Sequence, residues 1–198
     1  MTATTAKICG LTTPDAVNAA VDGGASHLGF VFFAKSPRNL APDLAARLAA
    51  PVRRSSAIKI VALTVDPDDA ELEHIVATLN PDLIQLHGRE TPQRAAAIRA
   101  RFGPTIKAVG VRDSSDIAAA LKYEDAADHL MFDAKAPEGS DRPGGHGTSF
   151  DWTLLEGLKF DRPWFLAGGL DPGTWSRRCG FRARRSSTFP LAWSAAPA

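Results

Sequence analysis

Lys7-Ile8-Cys9-Gly10-Leu11-Thr12-Thr13-Pro14-Asp15 is the stretch that decides the architecture. An apolar run ending in Cys-Gly, then Thr-Thr-Pro-Asp and an Ala/Val-rich segment to Asp22, predicts a strand, a turn and a capped helix. Pro14 just inside the helix and Gly23-Gly24 just past it follow the usual asymmetry of helix ends. The same unit then recurs along the chain. Leu28–Phe33, Ile58–Val65, Asp82–Leu86, Thr105–Val111, His129–Asp133 and Pro163–Ala167 read as six further strands. Helical patterns fill the intervals: Pro42 to Ala50, Pro67 to about Leu79, Thr91-Pro92 to about Phe102, a helix opening at Ser114, and a short one at Phe150-Asp151-Trp152.

Alternation of this kind implies parallel strands covered by helices, because parallel neighbours need a crossover of a dozen or more residues. An open doubly wound sheet satisfies the same pattern. Polar or glycine-rich punctuation follows nearly every strand, which favours a closed (β/α)8 TIM barrel whose strand ends all face one site. With 198 residues the chain is one domain, shorter than the roughly 250 typical of a complete barrel of this type.

Two cysteines far apart, Cys9 and Cys179, and an N-terminus without an apolar signal segment indicate a reduced, cytoplasmic protein. No window approaches about 18 consecutive apolar residues, so no membrane span is expected. The net charge of +1 conceals an asymmetry: residues 174–198 hold five arginines and no Asp, Glu or Lys, a net +5, against −4 for residues 1–173.

Cys9 ends the first strand, where barrels carry their chemistry; the alternative is a small buried hydrophobe. Asp133 ends the sixth strand, after apolar residues, and a carboxyl at such a rim suits proton donation. It could equally pair with Lys135 or cap the next loop. Arg38, after Ser36-Pro37, offers a planar fork for a carboxylate or stands as a solvated surface cation. His87 follows strand four, to hold a ligand or satisfy the rim, and Lys7, a cation inside a barrel strand, needs an anionic partner. Gly144-Gly145-His146-Gly147 and Gly168-Gly169 follow strands six and seven, where backbone N–H groups can cradle phosphate.

Taken together, Lys7-Ile8-Cys9-Gly10-Leu11, Gly29-Phe30-Val31-Phe32, Ser36-Pro37-Arg38, Gln85-Leu86-His87-Gly88, Phe132-Asp133-Ala134-Lys135, the Gly144–Gly147 loop with Phe150-Asp151-Trp152, and Leu166-Ala167-Gly168-Gly169-Leu170 resemble the successive motifs of phosphoribosylanthranilate isomerases over residues 6–172. The resemblance implies a (β/α)8 barrel of tryptophan biosynthesis that converts N-(5-phosphoribosyl)anthranilate to 1-(2-carboxyphenylamino)-1-deoxyribulose 5-phosphate by an Amadori rearrangement, without cofactor or metal. It implies Asp133 as general acid, Cys9 as thiolate base, Arg38 on the anthranilate carboxylate, and Lys7, Gln85 and His87 among the substrate-binding residues. Gly145, Gly147, Gly168 and Gly169 would hold the phosphate. The expected partner is the small phosphorylated substrate, with no nucleic acid and no membrane, in a monomer or homodimer. If Lys7 points to the face opposite Cys9, as strand neighbours alternate, it cannot help directly, and the cationic imine intermediate is left to favour the thiolate.

After Gly173 the likeness stops. No eighth strand, no closing helix and no Asp-x-Ser-Ser-Gly type motif are recognisable in residues 174–198. The barrel domain is therefore assigned to residues 1–173, as an incomplete barrel with two unpaired sheet edges. The basic tail reads as the product of a shifted reading frame, the alternative being a divergent native tail. Such a chain is an isomerase by its retained residues, or an inactive remnant of one.

Overall fold

The computed structural model describes residues 5–170 and the backbone of residues 190–194. Eight strands, β1 Thr5–Cys9, β2 His27–Phe32, β3 Lys59–Thr64, β4 Leu83–Leu86, β5 Thr105–Val111, β6 His129–Ala134, β7 Trp164–Leu166 and β8 Pro190–Ser194, pair in parallel in sequence order and close a barrel. Helices α1 Pro14–Asp22, α2 Pro42–Ser55, α3 Asp69–Leu79, α4 Pro92–Phe102 and α5 Ser114–Ala120 follow the first five strands. Thr13, Asp68, Thr91 and Asp113 cap α1, α3, α4 and α5 by accepting backbone N–H bonds.

The expectation of two open sheet edges is corrected. Pro190–Ser194 fills the gap, in register with all five residues of β1 and with Leu166 of β7 through Leu191. Pro-Leu-Ala-Trp-Ser has little intrinsic strand character; a strand is defined by what it pairs with, and here two waiting edges supply the pairing. The boundary expected after Gly173 falls outside the described residues. Two helices also differ from expectation. The helix expected to stop at Ala50 continues through Pro51 to Ser55, because Leu48, Ala49 and Val52 extend one buried face past the proline; burial there outweighs one missing N–H bond. Between β6 and β7 the short helix is a single 3-10 turn, Trp152–Leu155, held by burying Trp152 and Leu155 among Phe132, Phe150 and Trp164.

Strand period two sorts the interior into layers. The floor, at the amino ends of strands, holds His27 and His129 against the Phe165 ring, with centroids 5.3 and 5.7 Å away. Burial, with the Lys7 ammonium nearby, lowers the His27 pKa to about 4, and burial lowers that of His129. Both are neutral packing groups at neutral pH. Around and above them the interior is filled by an apolar cluster of Val61, Leu83, Ile106, Ala108, Met131, Phe165 and Ala167. Higher still, Cys9 packs with Val31 and Leu63 beneath the open end. Among the described residues no helix is long and apolar enough to cross a membrane.

Candidate active site

A cavity of about 260 Å³ opens at the carboxyl end of the barrel. Its wall follows the strand period: Lys7 and Cys9 come from β1, Gln85 and His87 from β4 and its end, Met131 and Asp133 from β6. Arg38 enters from the β2–α2 loop, and Gly145, Gly147, Gly168 and Gly169 from the loops after β6 and β7. Every residue singled out in the sequence thus lines one cavity. Cys9 and Asp133, 124 positions apart in the chain, share its wall.

Cys9 is buried at 6% exposure, and its carbonyl accepts a 3.1 Å hydrogen bond from Arg38 Nη1. The Arg38 side chain crosses Gly10, at φ +83°, where a Cβ would collide with it. The placement of Lys7 opposite Cys9 is corrected: residues two apart in a strand share a face. Both side chains flank Gly29 of β2, where a Cβ would lie 2.8 Å from Cys9 Sγ and 3.2 Å from Lys7 Nζ. The sulfur and the ammonium are therefore no more than about 6 Å apart, a distance at which a cation and an anion still attract measurably inside a protein. Gly29 is a residue the sequence reading quoted without giving it a task. Its signal was available, since a glycine inside a strand marks close approach by another group.

Asp133 does not pair with Lys135, whose ammonium reaches Asp116 Oδ1 at 2.7 Å instead. One carboxyl oxygen of Asp133 accepts the Ala134 N–H at 2.8 Å, and the other stands 3.4 Å from His87 Nε2. Gln85 Nε2 lies 3.1 Å from His87 Nδ1 and 3.3 Å from Met131 Sδ, so β4 and β6 are joined through a row of polar atoms under the mouth. A carboxyl and an imidazole so arranged can share or transfer a proton with little movement.

The glycines over this row leave no room for side chains. A Cβ on Gly144 would meet His87 Nε2 at 2.8 Å and Asp133 Oδ2 at 3.0 Å, and one on Gly145 would meet Arg38 Nη2 at 2.8 Å. Gly145, Gly147, Gly168 and Gly169 all have positive φ, between +66° and +82°, a backbone conformation that anion-binding nests use. Arg142 of the same loop also lines the cavity, a cation the sequence reading passed over because nothing local distinguishes it from a surface arginine. Among the described residues no three His, Cys, Asp or Glu side chains gather as a metal site would need.

The arrangement has relatives. The family model of N-(5′-phosphoribosyl)anthranilate (PRA) isomerase matches residues 6–178. N-(5′-phosphoribosyl)anthranilate isomerase of Caulobacter vibrioides is 58% identical over 168 residues, 84% of this chain and 76% of the relative. The counterpart of Brucella canis is 53% identical over 167 residues, 83% of this chain and 74% of the relative. Among solved structures, phosphoribosyl anthranilate isomerase of Thermotoga maritima superposes with a TM-score of 0.80 at 30% identity, covering 97% of this chain and 88% of that one. A phosphoribosyl anthranilate isomerase in complex with reduced 1-(o-carboxyphenylamino)-1-deoxyribulose 5-phosphate superposes with a TM-score of 0.78 at 28% identity, over 98% and 88% of the two chains. With 173 of its 198 residues spanned by the family model and relatives above half identity, the chain belongs to the N-(5′-phosphoribosyl)anthranilate isomerase family.

Proposed function

We propose that this chain isomerises N-(5-phosphoribosyl)anthranilate to 1-(2-carboxyphenylamino)-1-deoxyribulose 5-phosphate in tryptophan biosynthesis. The observation that carries the reading is the meeting of Cys9, Asp133 and Arg38 in one cavity of a chain of this family. In this reading Asp133 gives its proton to the furanose ring oxygen as the C1′–O bond breaks, leaving a protonated imine at C1′. Cys9, as thiolate, then takes the proton from C2′, and the electron pair moves to the imine nitrogen to give the enolamine. Tautomerisation of the enolamine completes the ketose. Lys7 stands beside the sulfur across Gly29. Arg38 holds the anthranilate carboxylate through its fork, and Gln85 and His87 line the substrate next to Asp133. Gly145, Gly147, Gly168 and Gly169 hold the 5-phosphate with backbone N–H groups.

The reading takes the isomerase domain as residues 1–173, with the Pro190–Ser194 strand closing its barrel, working as a monomer or homodimer in the cytoplasm on a small-molecule substrate. It takes the arginine-rich segment from Thr174 as the product of a shifted frame, which resequencing the locus tests. The functional test is direct. The purified chain consumes N-(5-phosphoribosyl)anthranilate, followed by loss of substrate fluorescence, and restores growth to a tryptophan auxotroph lacking this step. A folded chain that does neither refutes the proposal and leaves the inactive remnant.

A further inference from the structure

Between the barrel and its helices lies a second ionic site that the isomerisation chemistry does not use. Lys107 of β5 sits between Ile106 and Ala108, which face the barrel interior, so its side chain enters the helix layer, where it is 3% exposed. Its ammonium meets Glu90 Oε2 at 2.6 Å and donates also to the carbonyls of Gly88, at 2.8 Å, and Leu86, at 3.4 Å. The Glu90 carboxylate accepts the N–H of Gly88 at 3.1 Å and, through Oε1, that of Asp66 at 2.9 Å. Above the pair, the Tyr123 ring lies 5.5 Å from the ammonium while its hydroxyl donates to the Glu90 carbonyl.

These bonds have one geometric result. The peptide between Leu86 and His87 is held at both ends, its N–H by Thr64 O at 2.9 Å and its carbonyl by Lys107. The next peptide is held at its Gly88 N–H by Glu90. The third is held at the Gly88 carbonyl by Lys107 and at the Arg89 N–H by Asp66 Oδ1. With the planes on either side pinned, φ and ψ of His87 are set, and so is the direction of its Cα–Cβ bond. From that bond the ring reaches across the mouth, with Gln85 Nε2 at its Nδ1 and Nε2 standing 3.4 Å from Asp133.

We propose that Lys107 and Glu90 are a positioning pair for His87: the buried ion pair aims the imidazole at the Asp133 carboxyl. A buried pair of this kind is a poor means of stabilisation, since apolar replacements of similar volume are often neutral or better. Its use here is directional, as the number of backbone groups it fixes around one site residue indicates. The proposal deepens the isomerase reading and rests on it for its catalytic consequence, but its structural part stands on the geometry alone.

The test replaces both partners at once, as Lys107→Met with Glu90→Leu, so that no lone charge stays buried. Two quantities are read. In the parent protein Asp133→Asn shifts the imidazole 15N resonances of His87; in the double variant the same substitution leaves them nearly unmoved. Turnover of N-(5-phosphoribosyl)anthranilate falls about tenfold to a hundredfold in kcat, the scale of a misplaced reacting group, with KM changed less than about threefold. On a His87→Ala background the double replacement costs no further activity. His87 resonances that respond equally with and without the pair, or an activity loss that persists undiminished on His87→Ala, overturn the proposal. If the double variant does not fold, Lys107→Gln with Glu90→Gln, which removes both charges and keeps polar side chains of similar reach, is read by the same two measurements. A parent chain that folds but does not turn over defeats the isomerase reading alone, and the resonances still decide the pair.

Discussion

The two ends of the barrel interior are built from the same strands with the same residue types, and they do opposite things. Strand β6 carries His129 at the floor and Asp133 at the mouth, with Met131 between them. At the floor, His27 packs at right angles and His129 at a tilt against Phe165, and burial keeps both neutral at neutral pH. At the mouth, His87 faces a carboxylate, Cys9 has Lys7 across Gly29, and a cavity adjoins them all. A titratable group among aromatic carbons is a packing element. The same group beside an opposite charge and an empty volume can exchange a proton with whatever enters.

Substitutions at the mouth should therefore cost rate and spare stability, and those at the floor the reverse. The largest effect is expected from Cys9→Ala and Asp133→Asn, each lowering kcat about 10²- to 10⁴-fold while the melting curve stays close to that of the parent; rates within tenfold of the parent would empty the mouth of its assigned chemistry. Next, Gly29→Ala forces a methyl against the sulfur and the lysine ammonium. A displacement of that size should cost about a hundredfold in kcat and about 1–3 kcal/mol of stability from overpacking, measured by steady-state turnover and urea titration.

Lys7→Met sharpens the comparison, because Lys7 faces both regions: it lines the cavity and its charge acts on His27. Removing this fully buried cation should leave the urea midpoint unchanged or raise it while lowering kcat/KM about tenfold, the equivalent of about 1.4 kcal/mol. A lower midpoint with full activity would make Lys7 a structural group. The smallest effect on rate belongs to His27. Its pKa is about 4 in the fold against 6.5 in the unfolded chain, so between those values the unfolded chain holds the extra proton and stability falls as pH is lowered through the window. Above pH 6.5 the group contributes no pH dependence. The loss should reach about 1–3 kcal/mol, allowing for the part of the ring that remains wetted, and His27→Leu should reduce the slope, His129 keeping its own share, with kcat unchanged at pH 7. An identical pH slope in the variant would move the cause elsewhere.

Much of this was legible in the residues. Seven strands and the five main helices follow from apolar runs and their caps, and Thr105–Val111 and the Thr91 cap fall where the pattern sets them. The same period, applied to Lys7 and Cys9, places them on one face and corrects the reading that set them apart. Local rules failed where burial overrode them. Pro51 continues a helix because Leu48 and Val52 lie on one buried face, and Pro190–Ser194 becomes a strand because two edges await it.

By itself the sequence determined the alternation of strand and helix, the parallel sheet this requires, and which side chains stand at strand ends, since these depend on spacing along the chain and on the volume and polarity of each residue. Only the tertiary structure decided the neighbours. It set His87 rather than Lys135 against Asp133, made Gly29 the gap between thiol and ammonium, and bound Lys107 and Glu90 around the His87 peptide planes. Such pairings join residues remote in sequence, and the closure of the barrel, with the room it leaves for each atom, selects among partners that local pattern treats alike.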